Sequence, residues 1–158
     1  MYKLTASFPY LLNRVGVRMG DLFSQRLEAD NLSLNMYRTL AALWEKGDQK
    51  LTELSEFISV EPSTLSRMVG TLKQRGLVMR QRCEDNARTV QITLTPSGRA
   101  LVERYIPYAL SYEETALTGF TPQDIQKIKM ILRKIYKNMD IIEQQIQMEA
   151  IDRKDAGA

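Results

Sequence analysis

The chain of 158 residues carries 22 basic and 19 acidic side chains, a net charge of +3, and 44% hydrophobic residues, a balance typical of one globular domain with helical extensions. It has no histidine and one cysteine, Cys83, which excludes an intrachain disulfide, histidine-bound zinc and a histidine general base. Because it also lacks a membrane-spanning apolar run and a signal peptide, we expect a cytoplasmic protein that is not an enzyme and has no metal or cofactor.

Two helices are predicted in the N-terminal part of the chain. The first covers residues 7–29, and the second covers residues 33–46, with Ser33 as its N-cap and Gly47 at its end. In each helix the apolar residues recur every three or four positions, which predicts one buried face. These residues are Phe8, Leu12, Val15, Met19 and Leu22 in the first helix and Leu34, Tyr37, Ala41 and Trp44 in the second.

A short helix over 52–58 and a longer one over 62–75 follow, joined by a tight turn. Pro62 suits the first helical position and Gly76 suits the C-terminal cap. The apolar side of the longer helix holds Leu65, Met68, Val69 and Leu72. Its opposite side holds Ser63, Arg67, Gly70 and Gln74, flanked by Thr64, Ser66 and Thr71. An ordinary exposed face would favour Glu and Lys, so this face indicates contact with a partner.

A β-hairpin is predicted over 77–94, with the polar tip EDNA and alternating apolar residues in its second strand. Thr95 and Pro96 then begin a fifth helix. Residues 61–99 contain seven basic and three acidic side chains, a local charge of +4, whereas the rest of the chain sums to −1. Clustered basic residues are typical of nucleic-acid binding, although a charge this small is weak evidence alone.

The last helix begins at Thr121 and Pro122 and carries a heptad stripe about three repeats long. The stripe consists of Ile125, Ile128, Leu132, Ile135, Met139, Ile142 and Ile146. Apolar stripes on both terminal helices must be covered, either by packing within one chain or by a two-fold dimer. We favour the dimer, since the thin middle part of the chain offers too little surface to cover two long stripes.

The predicted fold class is mostly α with a small β-hairpin wing, a winged helix-turn-helix in which helix 62–75 enters the DNA major groove. Short side chains suit a groove about 12 Å wide, and arginine can form two bonds with guanine. Gly70 fits either a close approach of the partner to the backbone or packing against a neighbouring element. A winged-helix module that binds another protein is the alternative function, and steep salt dependence of DNA binding would distinguish the two.

The segment LTELSEFISVEPSTLSRMVGTLKQRGLVMRQRCEDNARTVQITLTPSGRALV resembles the core of the MarR (multiple antibiotic resistance regulator) family. The resemblance implies a homodimeric transcription factor, usually a repressor, that binds a pseudo-palindromic operator in double-stranded DNA and is released by a small, often aromatic, anionic effector. The expected divisions are a dimerisation helix over 1–32, a DNA-binding domain over 33–95, dimerisation helices over 96–150 and a frayed tail over 151–158.

The resemblance places Ser63, Thr64, Ser66 and Arg67 at recognition-helix contact positions and Arg88 at the wing position that enters the minor groove. An acidic residue normally supports that arginine from two positions earlier, but here Asn86 holds the position and Asp85 precedes it. Glu61 is a poor cap that would repel phosphates, unless it accepts a bond from cytosine N4. The remaining predicted DNA contacts are Thr71, Lys73, Gln74, Arg80, Arg82 and Asn86. Lys73, Gln74 and Arg75 follow the DNA backbone, or the two basic residues complement the helix dipole. Arg80 and Arg82 contact phosphates or are solvated charges that protect a strand edge.

Effector binding is the least specific prediction. Family ligands usually lie between the dimerisation helices and the DNA-binding domain, and an arginine with aromatic residues suits an aromatic carboxylate. Tyr37 and Trp44 have an equally simple explanation as core residues, because their spacing places them on an apolar face. Cys83 beside the wing tip is interpreted as an incidental thiol. The effector candidates are Arg14, Arg18, Tyr37, Trp44 and Tyr108.

Overall fold

The computed structural model describes residues 2–82 and 90–155 of the chain. Within these ranges, two compact units divide after Glu113. The helices are α1 (Phe8–Leu27), α2 (Leu34–Lys46), α3 (Leu51–Ile58), α4 (Pro62–Gln74), α5 (Pro96–Ala116) and α6 (Pro122–Asp155). The strands are β1 (Gln49–Lys50), β2 (Val78–Arg82) and β3 (Val90–Leu94). This architecture confirms the winged helix-turn-helix predicted from the sequence.

The predicted helix boundaries are confirmed where a local signal marks them. The Ser33 hydroxyl accepts a hydrogen bond from the Met36 amide at 3.2 Å, as an N-cap should. Pro62 occupies the first turn of α4, and Gly76 follows its end with a positive φ of 68°. The first helix ends two residues earlier than predicted, because Glu28–Asp30 forms a separate 3-10 turn.

The described strands form an antiparallel sheet in the order β1-β3-β2. β2 and β3 pair from Val78 opposite Leu94 to Arg82 opposite Val90, which is the predicted hairpin. The sequence did not indicate β1, whose Gln49 pairs with Ile92. A strand of two residues is too short to show the period-two alternation by which strands are recognised.

The core of the first unit lies between α4 and the helices and strands around it. Leu65, Val69 and Leu72 have no exposed surface, and Met68 is also buried, so the predicted inner face of α4 is confirmed. The other fully buried side chains that surround them include Leu27, Leu40, Leu43, Leu54, Val78, Ile92 and Val102. Burying side chains of this size stabilises the folded state by roughly 1.5–3 kcal/mol each.

The predicted face of α2 is wrong at one position. The buried residues of this helix are Thr39, Leu40, Ala42 and Leu43, whereas Trp44 remains 39% exposed. α2 contacts α1, α3 and β3, so its fully buried side differs from the predicted stripe, whose Leu34, Tyr37 and Ala41 are half-buried against the core. The indole NH of Trp44 instead donates to Glu103 Oε1 of α5 at 3.3 Å.

The end of α4 is joined closely to the start of α5. The Thr95 hydroxyl donates to the Gly76 carbonyl at 2.7 Å and accepts from the Gly98 amide at 3.0 Å. A Cβ at position 98 would lie 2.0 Å from the Leu77 carbonyl oxygen, so only glycine fits there. The Thr95 bonds and the close approach at Gly98 therefore fix the end of α4 against the start of α5.

The N-terminal half of α1 is not covered within its unit. Gly20, Phe23 and Leu27 are buried, but the predicted stripe Phe8, Leu12, Val15, Met19 and Leu22 is exposed at every position. A helix with an uncovered apolar face indicates a partner outside its own unit.

The second unit consists of the end of α5, a connection and α6. Thr121 and Asp124 form the predicted start signal: the Thr121 hydroxyl donates to Asp124 Oδ2 at 2.6 Å and accepts from the Asp124 amide at 3.2 Å. The bonds that the Thr121 hydroxyl and the Thr121 amide donate to this carboxylate lower the pKa of Asp124. α6 continues to Asp155, so residues 151–155 are helical where the sequence favoured a frayed tail.

Candidate nucleic-acid interface

The turn between α3 and α4 sets the direction of the proposed recognition helix. Ser59 has a left-handed backbone conformation with φ of 54°, and its amide bonds to the Glu56 carbonyl, which ends α3. α4 then starts three residues later at Pro62. The Thr39 hydroxyl lies 3.3 Å from the Met68 sulfur, a polar contact that links α4 to α2.

The outward face of α4 carries polar, mostly short side chains and no acidic residue between Pro62 and Gln74. Ser63 and Arg67 are exposed, and Thr64 and Ser66 are half-buried at its edge. Among the described residues, Arg67 has no ion pair or side-chain hydrogen bond, while its carbonyl accepts from the Thr71 hydroxyl at 3.4 Å. This guanidinium is available to a partner.

Gly70 lies on the same face and has open space around it. An ideal Cβ at this position would meet nothing within 4 Å in the described part of the chain. Among the described residues, packing against a neighbouring element therefore does not explain this glycine.

Glu61 precedes α4 as its N-cap residue and makes no side-chain cap bond. The prediction that it caps poorly is confirmed. The amide groups of the first turn of α4 consequently have no side-chain cap, and backbone NH groups at a helix N-terminus favour an anion.

The wing is described only in part. Arg80 is exposed on β2 opposite the buried Ile92, and the backbone of Arg82 pairs with Val90. The predicted wing-tip residues Cys83, Asp85, Asn86 and Arg88 lie outside the described residues, so their roles stay predictions.

Arg75 does not share the surroundings of Lys73 and Gln74, which are exposed at the end of α4. Its Nη1 donates to the Asn31 carbonyl at 2.9 Å and its Nη2 donates to the Asp30 carbonyl at 2.6 Å. That Arg75 follows the DNA backbone stays a prediction, while in this structure its guanidinium binds two carbonyls of the connection between α1 and α2.

The same connection forms a polar cluster with α5. Asp30 Oδ2 accepts hydrogen bonds from Arg104 Nη2 and from the Tyr105 hydroxyl. The bond from Tyr105 lowers the pKa of Asp30, and burial together with this bond raises the pKa of Tyr105 to about 12. We call these residues, with Arg75, the Asp30 cluster. The sequence did not indicate it, because the residues that bond to Asp30 lie 45 to 75 positions from it.

The effector candidates are not brought together at one place. Tyr37 belongs to an edge-to-face aromatic cluster with Phe23 and Tyr105, with ring centroids 4.9 and 6.2 Å from that of Tyr37. Burial raises the pKa of Tyr37. Tyr108 extends this cluster and lies beneath Arg26, whose guanidinium is 4.2 Å from the ring centre. The sequence did not indicate that Arg26 lies beside these aromatic rings.

The other candidates lie elsewhere. Arg14 and Arg18 are exposed on α1, and Arg14 stacks over Tyr10 at 5.7 Å. Trp44 bonds to Glu103, as described above. No contact in the described ranges connects these three residues to the aromatic cluster.

An open groove of about 410 Å³ lies between α2 and α3. Tyr37, Arg38, Glu45 and Phe57 are among the residues that line it. It combines one arginine with two aromatic rings, which are the groups that an aromatic anion would contact.

Comparison with solved structures identifies the protein's relatives. A transcriptional regulator of the MarR family from Silicibacter pomeroyi superposes with a TM-score of 0.79 at 34% sequence identity, over 86% of this chain and 92% of the other. The chain belongs to the MarR family.

Further comparisons agree with membership in the MarR family. Residues 32–90 match the model of that family. The transcriptional repressor NicR of Pseudomonas putida is 29% identical over 85% of this chain and 85% of its own length. Bordetella bronchiseptica BpsR, whose DNA binding is regulated by 6-hydroxynicotinic acid, shares 28% identity over 86% of this chain and 97% of its own, with a TM-score of 0.78.

These findings confirm the resemblance and support a DNA-binding transcriptional regulator over a protein-binding module. The MarR family consists of transcriptional regulators rather than enzymes. No described helix is both long enough and apolar enough to cross a bilayer. Nor do the described Asp and Glu side chains form a group of three or more that could hold a metal ion.

Proposed function

We propose that this MarR-family regulator is a homodimeric repressor that inserts α4 into the major groove of each operator half-site. The outward face of α4 carries this proposal: it presents short hydroxyl side chains, with no acidic residue along the helix, and within the described part of the chain Arg67 is unpaired and Gly70 has open space around it. Such a face can approach base edges without clashing or repelling phosphates.

The individual contacts follow from the position of each side chain. Arg67 forms two hydrogen bonds with a guanine, and Ser63 contacts base edges or phosphates with its neighbours on the helix. Exposed basic residues at the end of α4 and on β2 contact phosphates, and Arg88 enters the minor groove with support from Asp85 or Asn86. The further contacts proposed are Thr64, Ser66, Thr71, Lys73, Gln74, Arg80 and Arg82.

The uncovered apolar stripes of α1 and α6 support the dimer. Residues 1–32 and 96–150 contribute the dimerisation helices, and residues 33–95 form the DNA-binding domain. Two copies related by a two-fold axis read half-sites about one helical turn, roughly 10 base pairs, apart. The operator is therefore a pseudo-palindrome.

An aromatic anion acts as the effector in this proposal. The regulation of BpsR by 6-hydroxynicotinic acid supports it, as does the groove in which Tyr37 and Phe57 accompany Arg38. Arg14, Arg18, Trp44 and Tyr108 are the other candidate contacts. The ligand shifts the protein towards a state of lower operator affinity only if it binds that state more tightly.

The test begins with selection of an operator from random duplexes, followed by anisotropy titrations over a series of salt concentrations. We expect the affinity to fall steeply with salt, since each neutralised phosphate adds about 0.9 to the slope of the log–log plot. Arg67→Ala should weaken operator binding by roughly 1–3 kcal/mol and relax the base preference at one position of each half-site. Arg133→Ala, an exposed arginine on α6, is the matched control and should bind like the wild type. A flat salt dependence would contradict the proposed function.

The effector proposal has a separate test. In thermal-shift measurements, 6-hydroxynicotinic acid and other aromatic acids should raise the melting temperature of the protein. A non-aromatic acid of the same charge should not raise it. A stabilising compound should then release labelled operator, and Arg38→Gln should reduce both effects. Operator release that is unchanged in Arg38→Gln would exclude the groove as the site.

A further inference from the structure

The two ends of α4 are fixed to the domain in different ways. Its N-terminal end has no side-chain cap bond at Glu61. Its C-terminal end holds two directional bonds, from the Arg75 guanidinium to the carbonyls of Asn31 and Asp30. Between them, α4 is held by apolar packing, which is strong but non-directional. The orientation of the helix therefore depends most on its C-terminal end.

The carbonyls that Arg75 binds are themselves held in place. Asn31 has a left-handed backbone with φ of 50° that closes the 3-10 turn Glu28–Asp30. The Asp30 carboxylate binds Arg104 and Tyr105 of α5, and Tyr105 is buried. Arg75 thus connects the proposed recognition helix to the end of α1 and, through Asp30, to α5.

We propose that Arg75 is a positioning residue for operator recognition, which sets the tilt of α4 through the Asp30 cluster and does not itself contact DNA. The inference rests on the proposed function and deepens it. Ser63 lies twelve residues before Arg75, roughly 18 Å along the helix axis. A tilt of about 3° at the Arg75 end would therefore move Ser63 by about 1 Å, enough to lose base contacts.

Positioning and phosphate contact have different signatures in DNA binding. A phosphate contact supports binding to every sequence and contributes to the salt slope. A residue that only orients the helix supports base-specific contacts, so its loss reduces discrimination between operator and random sequence. The two roles can therefore be separated by measuring both duplexes over a range of salt concentrations.

The experiment uses the full-length protein, the selected operator and a scrambled duplex of the same length and composition. We expect Arg75→Gln to weaken operator binding about tenfold, to change scrambled-duplex binding less than twofold, and to leave the salt slope unchanged. Lys73→Gln, two positions earlier on the exposed end of α4, is the control. It should weaken both duplexes together and lower the slope by about 0.9 per lost phosphate contact.

Arg75→Lys keeps the charge but loses the planar fork that reaches two carbonyls. We expect its ratio of operator to scrambled affinity to resemble that of Arg75→Gln, whereas a phosphate-binding role predicts that the lysine restores the affinity for both duplexes and the salt slope to near the wild-type values. Tyr105→Phe removes one bond to Asp30 without a change of charge, and should reduce the ratio about threefold. It tests the same cluster should Arg75→Gln prove unfolded by circular dichroism.

Two outcomes overturn the inference. One is an equal loss on both duplexes with a lower salt slope in Arg75→Gln, which would make Arg75 a phosphate contact. The other is operator binding like the wild type in Arg75→Gln and Tyr105→Phe, which would leave the proposed function standing without this role. Absence of salt-dependent binding in the wild type would instead reject the proposed function itself, and the inference with it.

Discussion

α4 and α6 carry the same apolar spacing but opposite burial. On α4 the repeating residues Leu65 and Leu72 are 0% exposed, whereas Ile142 and Ile146 of α6 are 48% and 61% exposed. Both helices follow the three-and-four pattern of an amphipathic helix. The comparison shows that spacing predicts which face is apolar, but not whether the same unit covers it.

The polar faces of the two helices also differ, in their composition. α6 mixes lysine and glutamate around its apolar stripe, as a solvent-exposed surface does, whereas α4 presents hydroxyls, a glycine and an arginine. In α4 the apolar face is buried within its own unit, and the polar face has an unusual composition. In α6 the polar face is ordinary, and the apolar face is exposed at Leu132, Met139, Ile142 and Ile146. The four predictions below test this contrast, from the largest expected effect to the smallest.

Leu72→Ala should destabilise the folded protein by about 2–5 kcal/mol, because it leaves a cavity at a fully buried position. Chemical denaturation followed by circular dichroism measures the loss. The neighbouring exposed position gives the control: Thr71→Ala should change the free energy of unfolding by less than about 0.5 kcal/mol. Equal effects of both substitutions would contradict the difference between the two faces of α4.

Ile142→Lys on α6 should weaken dimerisation by about 3 kcal/mol or more, since the substitution occurs in both subunits and each loses roughly 1.5 kcal/mol of apolar burial. Sedimentation velocity over a range of concentrations would show the shift to monomer. Gln144→Lys introduces the same charge outside the heptad stripe and should leave the dimer intact. A dimer that survives Ile142→Lys unchanged would show that this part of α6 is not at the interface.

Gly70→Ala should raise the free energy of unfolding by about 0.5–1 kcal/mol, because alanine favours a helix and nothing described blocks its Cβ. The same substitution should weaken operator binding if the DNA approaches the helix at this residue. Denaturation and anisotropy titration on one preparation measure both quantities. Increased stability with unchanged DNA affinity would place the DNA farther from Gly70 than we propose.

The smallest effect concerns pH. The bond from Tyr105 lowers the pKa of Asp30 below its ordinary 3.8, so the stabilisation from the ionised carboxylate is present above that value. It is lost as pH falls through the lower, folded-state pKa. We expect the stability difference between wild type and Asp30→Asn to be constant from pH 7 to 5 and to shrink below about pH 4. Asp124 titrates with the same sign, but it is present in both proteins and cancels. A difference that persists unchanged at pH 3 would show that the charge of Asp30 is unimportant.

The sequence predicted what depends on short-range pattern. Caps such as Ser33, the proline at the start of α4 and the helix-turn-helix spacing are all set within a few residues, and all were found. The polar face of α4 was also recognisable, because its composition departs from that of an ordinary surface.

What depends on contacts between distant residues was not predicted. Arg75 appeared to be one more basic residue at the end of α4, although its partners Asp30 and Asn31 lie more than forty positions away. Trp44 lies on the expected helix but outside the buried face, since the packing of α1, α3 and β3 around α2 decides that face. β1 is defined by its pairing with β3 and has no pattern of its own.

Trp44 is the single tryptophan of the chain, and its indole bonds to Glu103 across the α2–α5 junction. Indole emission changes with hydrogen bonding and with access to water. The protein therefore contains an intrinsic fluorophore at the junction between α2 and α5. Any movement of that junction caused by operator or effector can be followed in solution from emission wavelength and quenching, without attaching a dye.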